Sequence, residues 1–250
     1  MGSTKENVYL NTYHKLIDGS LVKIIRYKNC KDITIQFNYG FEVNTRMTCL
    51  KKDNIKHPLQ KTVYDIGYIG MGKYNTSDSL VLYDKWSGIL RRCCDKKFQE
   101  KHNSYKDCIV DERWHNFQNF AEWFEESYNS DVMQGWQLDK DILFKGNKIY
   151  SPETCCFVPQ EINSLFVKRD NDRGRHCIGV NFNKRDKVYS TNIPIKNYKG
   201  KRNFKSELEA FNLYKILKEN YIKEVADKWK DLIDPRVYEA MHNYQVEITD

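Results

Sequence analysis

Asp139 and Asp141, in the run Leu138-Asp139-Lys140-Asp141, and Asn163 further on carry side-chain oxygens that could hold a divalent metal against a phosphodiester. Hydrolysis of such an ester needs a metal to polarise the phosphate, a base to activate water and rigid positioning of both. Carboxylate and amide oxygens are hard donors that suit Mg2+ or Mn2+. Asp139 on a strand and Asn163 on a following helix are the expected metal ligands. Lys140 and Asp141 complete the candidate catalytic set.

Positioning these groups requires a compact scaffold. Gly146-Asn147 predicts a tight turn between Ile142-Leu143-Phe144 and Lys148-Ile149-Tyr150, and Pro152-Glu153-Thr154 a second turn before a helix that begins near Pro159. Upstream, Leu80, Tyr83, Trp86, Leu90 and Cys94 recur at helical spacing, as do Trp114, Phe117, Ala121, Phe124 and Tyr128. Earlier still, Ser20 to Tyr27, Asp32 to Phe37 and Phe41 to Val43 read as short strands and predict a small antiparallel β-barrel or curled sheet, with the barrel-like form taken as the fold. Downstream, three strands are expected over Cys177 to Phe182, Lys187 to Pro194 and Lys199 to Phe204. Ser206 with Glu209 then reads as a capping box opening a long helix, whose buried face is Leu208, Phe211, Tyr214, Leu217, Tyr221, Val225 and Trp229. Asp234-Pro235 ends that helix, and Tyr244 to Ile248 is expected to form a last strand. The fold class is therefore α+β.

Of 250 residues, 40% are hydrophobic, 14% aromatic and 30% charged, a balance that excludes wholesale disorder and a helical membrane protein. The N-terminus has no apolar signal core, and the expected compartment is the cytoplasm. Eight cysteines without a CxxC pair read as reduced thiols, with zinc bound by Cys93 or Cys94, Cys108 and Cys155 as the alternative. The net charge is +7, yet Val167 to Lys205 alone holds twelve Lys or Arg against three acids, so this segment exceeds the whole excess. Cations interleaved with Phe182, Tyr189, Tyr198 and Phe204 suit a nucleic-acid surface. The candidate DNA contacts are Arg169, Arg173, Arg175, Lys184, Arg185, Lys187, Lys199, Lys201 and Arg202. Which of them read bases and which meet only phosphate is open.

Trp86-Ser87-Gly88-Ile89-Leu90-Arg91-Arg92-Cys93, Ser104-Tyr105-Lys106-Asp107-Cys108, Trp114-His115-Asn116-Phe117, Leu138-Asp139-Lys140-Asp141 and the run Tyr150 to Pro159 together resemble the HNH-type endonuclease family of phages and mobile introns. Ile178-Gly179-Val180, Tyr189-Ser190-Thr191-Asn192-Ile193, Phe204 and Glu209 to Tyr214 resemble the apetala-type integrase-like DNA-binding domain often joined to it. The resemblance implies a phage-encoded, intracellular enzyme of the ββα-metal fold that nicks or cleaves duplex DNA. With the strand pattern of the N-terminal part, the expected division is a barrel-like domain (1–76), an HNH-like domain (77–168), a basic linker (169–177) and a DNA-binding unit with a C-terminal tail (178–250).

One departure bears on catalysis. The position matching the family's catalytic His holds Lys140, and that matching its central Asn holds Thr154. A lysine with its ordinary pKa is protonated at neutral pH and cannot act as general base. Three readings stay open: burial lowers the Lys140 pKa, Asp141 serves as base, or the site is inactive. In the last case the chain is a DNA-binding regulator, or a phage protein that engages a host protein.

Overall fold

A computed structural model describes residues 6–77, 79–167, 175–191, 200 and 202–250. The N-terminal part runs α1 (Glu6–Tyr9), β1 (Tyr13–Lys15), β2 (Leu21–Asn29), β3 (Asp32–Phe37), β4 (Glu42–Thr45) and α2 (Met47–Lys51). The strands form an antiparallel meander in the order β1-β2-β3-β4. Alternation places Val22, Ile24, Ile33, Ile35 and Phe37 on one face, where Met47, Leu50 and Ile55 bury them. The expected barrel is not formed, because this sheet stays open with β1 and β4 as its edges. The reason is that α2 and Ile55 already cover the apolar face, so the strands need not curl round to bury it. His57 fastens the covering segment, its ring lying between the Tyr39 hydroxyl (2.9 Å) and Asp18 (2.7 Å).

The central part comprises α3 (Leu80–Cys94), α4 (Lys96–Lys101), β5 (Ile109–Val110), α5 (Phe117–Ser127), β6 (Gln137–Asp139), β7 (Ile149–Tyr150), β8 (Cys156–Val158) and α6 (Gln160–Phe166). Ser79 and Asn116 cap α3 and α5 by accepting from the amides of Leu82 and Gln118. Trp86, Leu90, Trp114, Phe117 and Phe120 are fully buried between them, and the Trp86 indole donates to the Trp114 carbonyl at 2.7 Å. The expected hairpin of residues 142–144 with 148–150 is absent. Instead β7 pairs in parallel with β5, β6 pairs antiparallel with β8, and residues 142–144 are bends. Gly146 takes the positive φ such a turn requires, at 81°, but Ile149 and Tyr150 find their partners in Ile109 and Val110, and the Asn147 side chain donates to the Lys140 and Ile149 carbonyls.

The C-terminal part holds β9 (Val180–Asn183), β10 (Val188–Thr191), β11 (Asn203–Phe204), α7 (Glu207–Trp229) and α8 (Pro235–His242). The three strands form an antiparallel sheet in the order β11-β10-β9; three strands are expected here, and their predicted parts at 192–194, 199 and 201 lie outside the described residues. Ala210 and Phe211, in the first half of α7, pack on Val180, Tyr189 and Phe204 of this sheet. Ile222, Val225 and Ala226, in its second half, join Val237 and Met241 of α8 in the central core. Ser206 opens α7 without a side-chain cap, and Leu208 is 55% exposed, so neither the capping box nor that part of the predicted buried face is formed. Glu207 ties the helix start to the segment before β9 instead, accepting from the Cys177 amide at 2.7 Å. Asp234 caps α8, with Pro235 in its first turn. Residues 244–248 are not a strand, because Lys215 and Glu219 of α7 take the Val246 carbonyl and amide. Among the described residues, no helix is long and apolar enough to cross a membrane.

Candidate nucleic-acid interface and the Asp139 loop

Asp139 ends β6, opposite Cys156. Its Oδ1 accepts from the amides of Asp141 and Ile142, both at 2.8 Å, which makes it the anchor of an Asx-type turn. Burial and the neighbouring Asp141 carboxylate push its carboxyl up to about 6. The buried Lys140 ammonium lies 3.4 Å from Asp141 Oδ2 and 5.8 Å above the Tyr150 ring. Asn147 closes the loop by donating to the carbonyls of Lys140 and Ile149, both at 2.7 Å. Thr154 braces it through the Ile149 carbonyl (2.7 Å) and the Ser151 amide (3.1 Å). Asn163 is half-buried on α6, a helix that follows β8 and packs against β6. Its side chain makes no hydrogen bond among the described residues.

The structure therefore brings Asp139, Lys140 and Asp141 into one loop and sets Asn163 on the adjoining helix. No position for Mg2+ or Mn2+ is assembled here among the described residues, and one of the Asp139 oxygens already serves two main-chain amides. Among the described residues no three His, Cys, Asp or Glu side chains are placed to hold a metal ion. That statement covers Cys93, Cys94, Cys108 and Cys155 as well. Burial pushes the thiols of Cys93 and Cys155 up to about 12, which keeps them protonated.

The β9–β11 sheet is built in the opposite sense. Alternation turns Val180 toward α7 and leaves Asn181 and Asn183 on the outer face, both exposed. Ser190 pairs with Asn181 on one side and with Asn203 on the other, so an amide, a hydroxyl and an amide form one row across three strands. Neither Asn181 nor Asn203 has a side-chain hydrogen bond among the described residues. Lys184, Arg185 and Lys187 lie in the exposed β9–β10 turn, which Asn183 shapes by accepting from the amides of Arg185 (3.0 Å) and Asp186 (3.2 Å). Lys187 closes this turn at φ 50°. Arg185 is 89% exposed and leans on Asp186 at 2.9 Å.

Of the other expected contacts, Arg175 is exposed ahead of β9. Arg202 is half-buried before β11, and its carbonyl accepts from the Thr191 amide at 3.3 Å. Arg169, Arg173, Lys199 and Lys201 lie outside the described residues, as does most of the predicted basic linker. Charge counting singles out the cations but misses the row of Asn181, Ser190 and Asn203. Its sequence signal is the alternation Val180-Asn181-Phe182-Asn183, which becomes a polar face only once the register is known. Compared with protein-family models, curated proteins and solved structures, the chain matches none.

Proposed function

We propose that this chain binds duplex DNA through the outer face of the β9–β11 sheet. The observation that carries the reading is the row of Asn181, Ser190 and Asn203 beside the Lys184, Arg185 and Lys187 turn, on a sheet whose other face is covered by α7. A narrow antiparallel sheet fits the major groove, where amide side chains can pair with the edge of adenine and hydroxyls with several bases. The cations of the turn then hold phosphate and set the register. The likeness of this region to apetala-type DNA-binding domains, noted from its sequence, points the same way.

The test is fluorescence anisotropy with the full chain and labelled duplexes of varied sequence at several salt concentrations. Replacing Lys184, Arg185 and Lys187 by Gln is expected to lower the log–log salt slope by up to about three, one for each phosphate contact. A full chain that ignores duplex DNA at low salt sinks the reading and leaves a protein partner as the better one. Cleavage has weaker support. The order β6, β8, α6 sets two antiparallel strands before a helix, but the Asp139 geometry gives no fitted metal position, so no hydrolytic step is derived. A nicking assay with Mg2+ or Mn2+, comparing the wild type with Asp139→Ala, decides whether cutting accompanies binding.

A further inference from the structure

A second basic surface stands on a different part of the molecule. Between Arg91 and Asp107 the sequence has six cations, Arg91, Arg92, Lys96, Lys97, Lys101 and Lys106, against three acids. Of those acids, Asp95 is engaged as the cap of α4, accepting from the Phe98 amide at 3.0 Å, and lies 3.7 Å from Arg91. The helix α4 contributes no buried residue to any core, and Lys96, Lys97 and Lys101 on it are exposed. Its packing instead assembles a ring cluster. Phe98 lies 4.4 Å from His102 and 5.8 Å from Tyr105, centroid to centroid.

Two guanidinium groups cap those rings, Arg91 over Phe98 at 4.5 Å and Arg92 over Tyr105 at 5.4 Å. Gln99 holds the arrangement by donating to the carbonyls of Arg92 (2.8 Å) and Cys93 (3.0 Å) at the end of α3. A guanidinium with one face on a ring keeps its edge donors for a planar pair of phosphate oxygens and loses less freedom on binding. The rings already have guanidinium or aromatic partners, so the surface suits backbone phosphates, not stacked bases. We infer that Arg91, Arg92 and the exposed lysines of α4 form a second, sequence-independent contact to the phosphodiester backbone of duplex DNA. The inference takes its ligand from the duplex-binding reading but stands on a different surface.

The experiment uses the full chain and a mixed-sequence duplex, with anisotropy read across a salt series and melting curves as a fold control. Arg91→Gln with Arg92→Gln is the direct variant. Lys96→Gln, Lys97→Gln and Lys101→Gln together provide the decisive one, since these exposed side chains can be changed without touching a core. The lysine triple variant is expected to lower the salt slope by up to about three and to weaken unrelated duplexes equally. A wild-type slope in that variant overturns the inference. If only the Lys184, Arg185 and Lys187 variant loses slope, the sheet reading stands and this one fails. If only the α4 variant does, the reverse holds, and a chain that binds no duplex sinks both.

Discussion

The Asp139 loop and the β9–β11 sheet are both rich in polar groups, and they use them in opposite ways. In the loop, Asp139, Asn147 and Thr154 turn inward and serve main-chain amides and carbonyls. In the sheet, Asn181, Ser190 and Asn203 share an outer face that α7 does not cover, and the turn cations project into solvent. The same contrast separates the lysines. Lys85, Lys145, Lys148, Lys215 and Lys218 each donate to a main-chain carbonyl of a neighbouring segment, which makes them fasteners of the fold. Acidic or basic residues at suggestive spacing mark a binding site only when the fold leaves their hydrogen-bonding capacity unused.

The contrast is broken most forcefully at Gly179, whose φ of 70° favours glycine and whose added Cβ would collide with the Tyr214 ring. Gly179→Ala is expected to cost about 3 kcal/mol, from strain and overpacking. A urea titration should show that loss, and duplex binding should fall with it as the sheet parts from α7. Next in size is Asn147→Ala, which removes two donated bonds inside the Asp139 loop. It should cost about 2 kcal/mol in the same titration and leave duplex affinity unchanged below the unfolding range.

Asp139→Asn sharpens the comparison through pH. The Asp139 carboxyl is raised from 3.8 to about 6, so the folded chain holds its proton more tightly than the unfolded one does. The stability it confers is complete below pH 3.8 and is lost as the pH rises through about 6. Asn keeps an oxygen for the two amides without the charge. The variant should therefore melt at or above the wild-type temperature at neutral pH, with a flatter pH profile between those values. A large loss of stability, or a Mg2+-dependent rise in melting temperature seen in wild type alone, would restore the metal-ligand reading. The smallest effect on stability is expected for Ser190→Ala, within about 0.5 kcal/mol. Its discrimination among duplex sequences should nevertheless fall by about 1 kcal/mol, measured by competition binding.

Much of the element inventory was legible in the sequence. Strands β2 and β3 follow the alternation of Val22, Ile24, Ile33 and Ile35, and α3 follows the spacing of Trp86 and Leu90. The errors share one physical origin, since each concerned what a local segment meets from far along the chain. The N-terminal strands read as a barrel because nothing local to them shows that α2 will cover their inner face. Gly146-Asn147 read as a hairpin turn, but Ile149 and Tyr150 find partners in Ile109 and Val110. Ser206 read as a cap, yet it is Glu207 that reaches back to Cys177. The cations of the C-terminal unit were visible by counting, whereas the amides beside them were not, because register decides which side of a strand they occupy.

The sequence by itself determined the α+β class, the apolar periodicities of strands and helices, and the concentration of positive charge beyond Val167. These properties depend on residue type and short spacing. Only the tertiary structure decided that Asp139 anchors a turn through main-chain amides, that Asn181, Ser190 and Asn203 share one outer face, and that Arg91 and Arg92 rest on rings supplied by the following segment. Each of these outcomes depends on which partner satisfies a polar or aromatic group. Packing sets that choice, because a buried polar group must find its hydrogen bonds within the fold, and an exposed one keeps them for a ligand.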